Sequence, residues 1–237
     1  MRIFPTNIEK PERAEQARLT EPKDEGKIHI ALVGCSTLAA ATAITGYFVF
    51  NSQEAEKSDT PAITTYLDGK LINKCSLTFL SDEVAVTAGH CGPEGAEVRN
   101  GEKVLGTITE NYLVDGAGVD VAFIDLDDNY DTGAFRGPTA FSCVETPDAA
   151  DAVIMDGAFS GEQAGTVVSA AVKREANAFG QKYPVEYVLT NNKSQPGDSG
   201  APVVTDAGCL AGILNGGNGE YSALTFLPGD VLAAAGL

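Results

Sequence analysis

Three segments of the 237-residue chain carry side chains that can act together. VAVTAGHC at 84–91 ends an apolar run on His90, one of two histidines; GAGVDVAFIDL at 116–126 holds Asp120; and KSQPGDSGAPVV at 193–204 holds Ser199. A serine hydroxyl attacks a carbonyl carbon only when a base within hydrogen-bond reach takes its proton, and an imidazole serves when a carboxylate fixes its tautomer. Donors for the developing oxyanion must stand beside the nucleophile. Gly197, ahead of Asp198 and Ser199, permits a tight turn that aims the amides of Gly197 and Ser199 at one point. Each feature alone has a plainer meaning: GDSG makes a good surface turn, Asp120 a strand-end carboxylate and His90 a hydrogen-bonded structural residue. Asp115 competes with Asp120, but it lies in the turn VDGAG, whereas Asp120 opens the apolar run VAFIDL.

The elements that position these residues read as strands. Short apolar or β-branched stretches recur with turns between them: AITTYL, CSLTFL, EVAVTA, KVLGTIT, DVAFIDL, ADAVIM, GTVVSAAV, VEYVLT, APVVT, CLAGIL and YSALTFL. This is the rhythm of an all-β antiparallel barrel protein. DTGAFRGPTA at 131–140 is rich in turn formers and suits a connection between two barrels. Only Pro228–Leu237 has helical character, with Asp230 placed as a cap. No repeat of fixed period is present.

TAGHC, DVAF and GDSGAP together resemble the three signature segments of the chymotrypsin-like serine proteases, and CSLTF before TAGHC, QPGDSG and LNGG are similar to the short actinobacterial branch. The resemblance covers about Pro61 to Leu237. It implies two six-stranded antiparallel barrels with the site between them, followed by the C-terminal helix, an endopeptidase activity on protein or peptide substrates, and no cofactor or metal. By matching position, His90 is the general base, Asp120 its orienting partner and Ser199 the nucleophile, with Gly197 and Ser199 forming the oxyanion hole. A substrate pocket is expected between Asn192, Lys193 and Ser194 on one side and Asn215, Gly216 and Gly217 on the other. Gly216 and Gly217 leave its entrance open, and no acidic residue stands at 191–197 to meet Arg or Lys. Mid-sized apolar substrate residues are therefore expected, with acidic ones second, should Lys193 point inward.

The sequence departs from the family pattern in places. Ala201 stands where a second glycine is usual, narrowing the space beside the nucleophile. Asn215 takes the place of a serine commonly found close to the triad aspartate. No Ile-Val-Gly-Gly-like start is present to pair with Asp198, and Arg136, Lys173 and Arg174 are alternative cations for it. These departures keep a second class open, a catalytically silent surface or binding module on the same fold.

Residues 28–50 run for 23 residues with no formal charge apart from any proton on His29, long enough to span a bilayer. Lys23 and Lys27 precede this run and Glu54, Glu56 and Asp59 follow it, which places residues 1–27 in the cytoplasm and the rest outside. A signal segment is the competing reading, with Ala41 and Ala43 as small residues for cleavage. LVGC at 32–35 imitates a lipoprotein site, but the apolar run continues fifteen residues past Cys35. Residues 51–60 are a polar tether and 61–237 the folded domain. The protein is accordingly expected to be secreted, or anchored at the outer face of the membrane through 28–50.

Six basic and six acidic residues cancel within 1–27, so the whole net charge of −17 belongs to the remainder and disfavours a nucleic acid partner. Cys75, Cys91, Cys143 and Cys209 lie beyond the apolar run, and four cysteines allow three pairings. The family resemblance implies Cys75 with Cys91, leaving Cys143 for Cys209.

Overall fold

Alternation of side chains across the pleat builds the strands. In β1 (Ala62–Leu67) Ile63 and Thr65 are buried between less buried neighbours, and in β8 (Ala152–Gly157) Val153, Met155 and Gly157 turn inward. The computed structural model describes residues 58–128, 141, 143–227 and 229–234. The expected tail at 1–27, the segment at 28–50, most of the tether and the 131–140 connection lie outside the described residues. Among those described, no helix is long and apolar enough to cross a membrane.

The first sheet contains β1, β2 (Lys70–Ser76), β3 (Thr78–Phe79), β4 (Val84–Thr87), β5 (Glu97–Asn100), β6 (Lys103–Asn111) and β7 (Ala122–Leu126). Its order is β2-β1-β5-β6-β7-β4-β3, all neighbours antiparallel. The two edge strands are consecutive in sequence, separated only by Leu77, so one interrupted strand serves both edges and the sheet must curl to meet it. Six strands were expected here, and seven result because that strand breaks at Leu77. The Leu77 side chain, 1% exposed, drops into a core with Ile63, Phe79, Val98, Leu105 and Ile124.

The second unit is a closed six-stranded barrel in the order β10-β13-β12-β11-β8-β9, with β9 at Gly161–Ala178, β10 at Gln181–Thr190, β11 at Pro202–Thr205, β12 at Leu210–Gly217 and β13 at Ser222–Thr225. Val153, Met155, Val188, Val203, Leu214 and Leu224 fill it. A shared apolar layer joins the two halves, with Leu80, Val86 and Phe123 from the first against Leu210, Ile213 and Leu227 from the second. The paired ends of β9 and β10 form a long ribbon, closed by the two-residue turn Phe179–Gly180 with φ of 51° and 78°. Ala176, Ala178, Val185 and Tyr187 on this ribbon pack on Leu113, in the connection between β6 and β7. The helix α1 spans Gly229–Ala234, so Asp230 falls inside its first turn rather than ahead of it. Cys75 pairs with Cys91 and Cys143 with Cys209.

Leu77→Ala should cost about 3 kcal/mol, because it removes buried methyl groups at the residue that lets one strand serve two edges. Urea unfolding monitored by circular dichroism checks this, and a loss under about 1 kcal/mol would mean the junction is dispensable.

Candidate active site

A short 3₁₀ turn, Gly89–Cys91, follows β4 and presents His90. Side-chain amides brace it: buried Asn111 Nδ2 donates to the carbonyls of Gly89 (2.8 Å) and Gly92 (2.7 Å), and half-buried Asn73 Nδ2 to that of His90 (2.8 Å). Asp120 enters from just ahead of β7, 1% exposed. Its Oδ1 accepts the His90 backbone N–H at 2.8 Å, and its Oδ2 lies 2.8 Å from His90 Nδ1. A carboxylate facing Nδ1 keeps the proton there, which leaves Nε2 of the neutral ring as an acceptor. Burial pushes the His90 pKa down, but the charge of Asp120 and its hydrogen bond together outweigh this and hold it above the ordinary 6.5. Asp115, the competing carboxylate, is exposed.

Ser199 stands at the junction of the two halves. The backbone N–H of Ser76 donates to its carbonyl at 2.7 Å, and Ser76 Oγ donates to the Gly197 carbonyl at 3.0 Å. Gly200 is required here: a Cβ, at its φ of 94°, would fall 2.2 Å from the Ser76 carbonyl oxygen. Gly197 has a φ of 104° and lies beneath the ring of Phe159. Among the described residues, the amides of Gly197 and Ser199 donate to no protein acceptor. The Ser199 hydroxyl is turned to the backbone carbonyl of Asn215 at 3.1 Å. Asn215 thus touches both sides of the site, since its Nδ2 donates to the Asp120 backbone carbonyl at 2.6 Å while Thr225 Oγ1 donates to its Oδ1 at 2.5 Å. It leaves the Asp120 carboxylate alone. The phenol of Tyr187, on β10, donates to Asp120 Oδ2 at 3.3 Å instead.

One reading of the sequence, the place of Ala201, needs correction, and another, the cation for Asp198, is answered for two of its three candidates. Asp198, fully buried, takes no cation among the described residues: its Oδ1 accepts the amides of Phe159 (3.0 Å) and Ser160 (3.2 Å), and its Oδ2 that of Gln195 (2.7 Å). Gly157 makes room, since a Cβ there would sit 2.5 Å from the Asp198 carboxyl carbon. Lys173 instead faces Glu186 at 4.0 Å, Arg174 lines a cleft beside Gly216, and Arg136 lies outside the described residues. Ala201, expected to narrow the space beside Ser199, turns into the second barrel's core with Val153 and Val203.

The expected pocket residues divide. Lys193 is exposed. Asn192 is buried, its Nδ2 on the carbonyls of Gln163 (2.5 Å) and Val153 (3.4 Å), with its Oδ1 unpartnered. Ser222 Oγ donates to the Asn192 carbonyl at 2.8 Å and lies 2.9 Å from Ser194 Oγ. Ser194 Oγ also fills the space beside Gly217, where a Cβ would fall only 2.4 Å away. Ser194 is thus packed against Gly217, while the space beside Gly216 is open. Phe159 and Tyr187 were missed by sequence reasoning; each reads there as an ordinary strand or turn aromatic.

Two curled antiparallel sheets, joined by an apolar layer with a His–Asp pair and a GDSG turn at the junction, define the chymotrypsin-like serine protease class. Residues 49–229 match the Trypsin family, and the chain belongs to it. The fold is similar to that of Cellulomonas bogoriensis chymotrypsin, at 21% identity and a TM-score of 0.55 over 73% of this chain and 93% of that one. Thermobifida fusca protease A is similar at 20% identity and 0.54, over 73% and 93%. A glutamic acid specific serine protease that utilizes a novel histidine triad in substrate binding is similar at 21% identity and 0.55, over 76% and 97%. No curated protein matches the chain.

Asp198→Asn should destabilise the fold by about 3 kcal/mol, since a side-chain amide turns donors toward backbone donors in a site closed to water. Chemical denaturation of the two proteins side by side reads this out, and equal midpoints would show that the three amides do not depend on the carboxylate.

Proposed function

We propose that the protein is a serine endopeptidase, working outside the reducing cytoplasm, that cleaves peptide bonds through His90, Asp120 and Ser199 and an acyl-enzyme intermediate. The observation that carries this reading is the double hold of Asp120 on His90, through ring and backbone, which leaves Nε2 as the free acceptor. In the reaction, the Ser199 hydroxyl rotates from the Asn215 carbonyl toward Nε2. Its proton passes to the imidazole as Oγ bonds to the substrate carbonyl carbon, and the oxyanion settles between the amides of Gly197 and Ser199. Collapse breaks the C–N bond, and the imidazolium returns the proton to the leaving amine. Water then repeats the sequence and frees the acid. The two disulfides suit an oxidising compartment, with 1–27 as a cytoplasmic tail, 28–50 as anchor or signal, 51–60 as tether and 61–237 as the protease domain.

The orientation of the Ser199 hydroxyl toward Asn215 favours one other reading, a silent module of the same fold. A fluorophosphonate probe separates the two, because it reacts only with an activated serine. Labelling of the wild type, lost in Ser199→Ala and His90→Ala, supports the enzyme; a folded wild type that takes no label refutes it. Each substitution should also lower peptidase turnover by about four orders of magnitude.

Catalysis needs His90 neutral, and its pKa is raised, so the ring stays protonated to a higher pH than a free imidazole. Activity should therefore fall as pH drops through a midpoint above the ordinary value of about 6.5. A pH–rate profile of kcat/KM with its acid limb below pH 6 would contradict the pairing.

With Ser194 packed against Gly217 and Lys193 exposed, we expect small substrate residues to be preferred over mid-sized apolar or acidic ones. A histidine triad for glutamate is also beyond a chain with two histidines. Peptides varied only before the scissile bond should rank alanine above phenylalanine and arginine, and Ser194→Gly should relax this order. Dominant cleavage after arginine, lysine or phenylalanine by the wild type would overturn it.

A further inference from the structure

The Asp120 carboxylate is almost sealed from water, and a buried carboxylate is tolerable only when its oxygens are met by donors. Oδ1 receives the His90 backbone N–H and Oδ2 the His90 ring. Asn215, at the family's usual serine position, gives its amide to the Asp120 backbone carbonyl, so the third donor to the carboxylate comes from a different strand. That donor is the Tyr187 hydroxyl. Tyr187 is 7% exposed, and a buried phenol O–H needs an acceptor as much as the carboxylate needs a donor.

The surroundings hold the phenol in place from three directions. Its ring packs with Ala176, Val185 and Leu113. The neighbouring Glu186 N–H donates to the Gly118 carbonyl at 3.1 Å, pinning the β9–β10 ribbon to the loop two residues before Asp120. The pairing of β10 with β9 also shifts register between Tyr187 and Leu189. Burial, and then the negative charge and hydrogen bond of Asp120, push the phenol pKa far above its ordinary value, so the hydroxyl keeps its proton across the working range and always donates.

We infer that Tyr187 is a positioning residue of the catalytic apparatus, its hydroxyl fixing the Asp120 carboxylate and moderating the charge that Asp120 presents to His90. The inference rests on the reading of Asp120 as the partner that orients His90 in catalysis. The titratable groups facing Asp120 are His90 from the 3₁₀ turn and Tyr187 from β10, while Asn215 from β12 is neutral. Removing the hydroxyl leaves Oδ2 more electron-rich, which stabilises the imidazolium and raises the His90 pKa. A stronger phenol donor acts in the opposite sense.

The test compares the full-length wild type, Tyr187→Phe and a protein carrying a fluorinated tyrosine at 187, whose hydroxyl is the stronger donor. The His90 ring is titrated by NMR, with His90→Ala identifying the His29 signal. Tyr187→Phe should raise the His90 pKa by about 0.5 units and the fluorinated side chain should lower it. In peptidase assays Tyr187→Phe should lose about three- to tenfold in kcat with KM nearly unchanged, and its acid limb should move up with the NMR value. A purely structural tyrosine would change thermal stability but leave the His90 titration where it was. An unmoved titration in both substituted proteins, or a loss confined to KM, overturns the inference. Because the titration needs no turnover, a wild type that proves inactive refutes the peptidase reading separately while Tyr187's grip on Asp120 is still read directly.

Discussion

Everything at the junction follows from one buried charge. Asp120 is 1% exposed, and a carboxylate removed from water costs several kcal/mol unless it is paired and hydrogen-bonded. Its partners come from three places: the 3₁₀ turn after β4 gives His90, β10 gives Tyr187, and β12 gives the Asn215 amide on the backbone carbonyl. Separating the first sheet from the second barrel would strip the Tyr187 hydroxyl from the carboxylate and the Asn215 amide from the Asp120 carbonyl, while the two His90 contacts, which come from the same half as Asp120, would remain. The geometry that orients His90 is the same geometry that keeps the carboxylate satisfied.

A second buried carboxylate organises the other side of the site by the same rule. Asp198 accepts three backbone amides, two of them from the β8–β9 turn at Phe159 and Ser160. That turn also sets the Phe159 ring over Gly197, and the amide of Ala158 donates to Ser76 Oγ at 3.2 Å, the hydroxyl that bonds the Gly197 carbonyl. The Gly197 carbonyl is held by Ser76, and among the described residues the amides of Gly197 and Ser199 have no protein acceptor. Amides need no counter-charge to fold in, so the loop is formed by the chain's own backbone. Among the described residues, no cation meets Asp198.

What the sequence made legible, and what it did not, divides along this line. Short apolar and β-branched stretches with turns between them exposed the strands, and the segments around His90, Asp120 and Ser199 stood out through the order of three reactive residue types. Asp198's partners left no mark, since a backbone amide can come from any residue, and two of the three come from a turn about forty positions upstream. Tyr187 sits in VEYVLT as one more β-former; its only signal was a polar-tipped ring on an inward position of an apolar strand. Ala201 was misplaced because the sequence does not tell which side of the strand after GDSG faces the nucleophile. Lys193 and Ser194 lie in the irregular segment between β10 and β11, where no side-chain period tells from the sequence which residue faces inward.

The resting orientation of Ser199 is consistent with the catalytic role rather than opposed to it. A neutral hydroxyl–carbonyl hydrogen bond contributes about 1 kcal/mol net, so the rotated hydroxyl is disfavoured by only about fivefold. In the proposed reaction, substrate entering along Gly216 and Gly217 would compete for space beside the Asn215 carbonyl and exclude water from Nε2, and both effects would favour the hydroxyl turned toward the base. His90, by contrast, is bound twice to Asp120 and braced by Asn73. On the proposed reading, the structure fixes the groups whose misplacement would be expensive to correct, the imidazole and the carboxylate, and the Ser199 hydroxyl is the group left to turn when substrate binds.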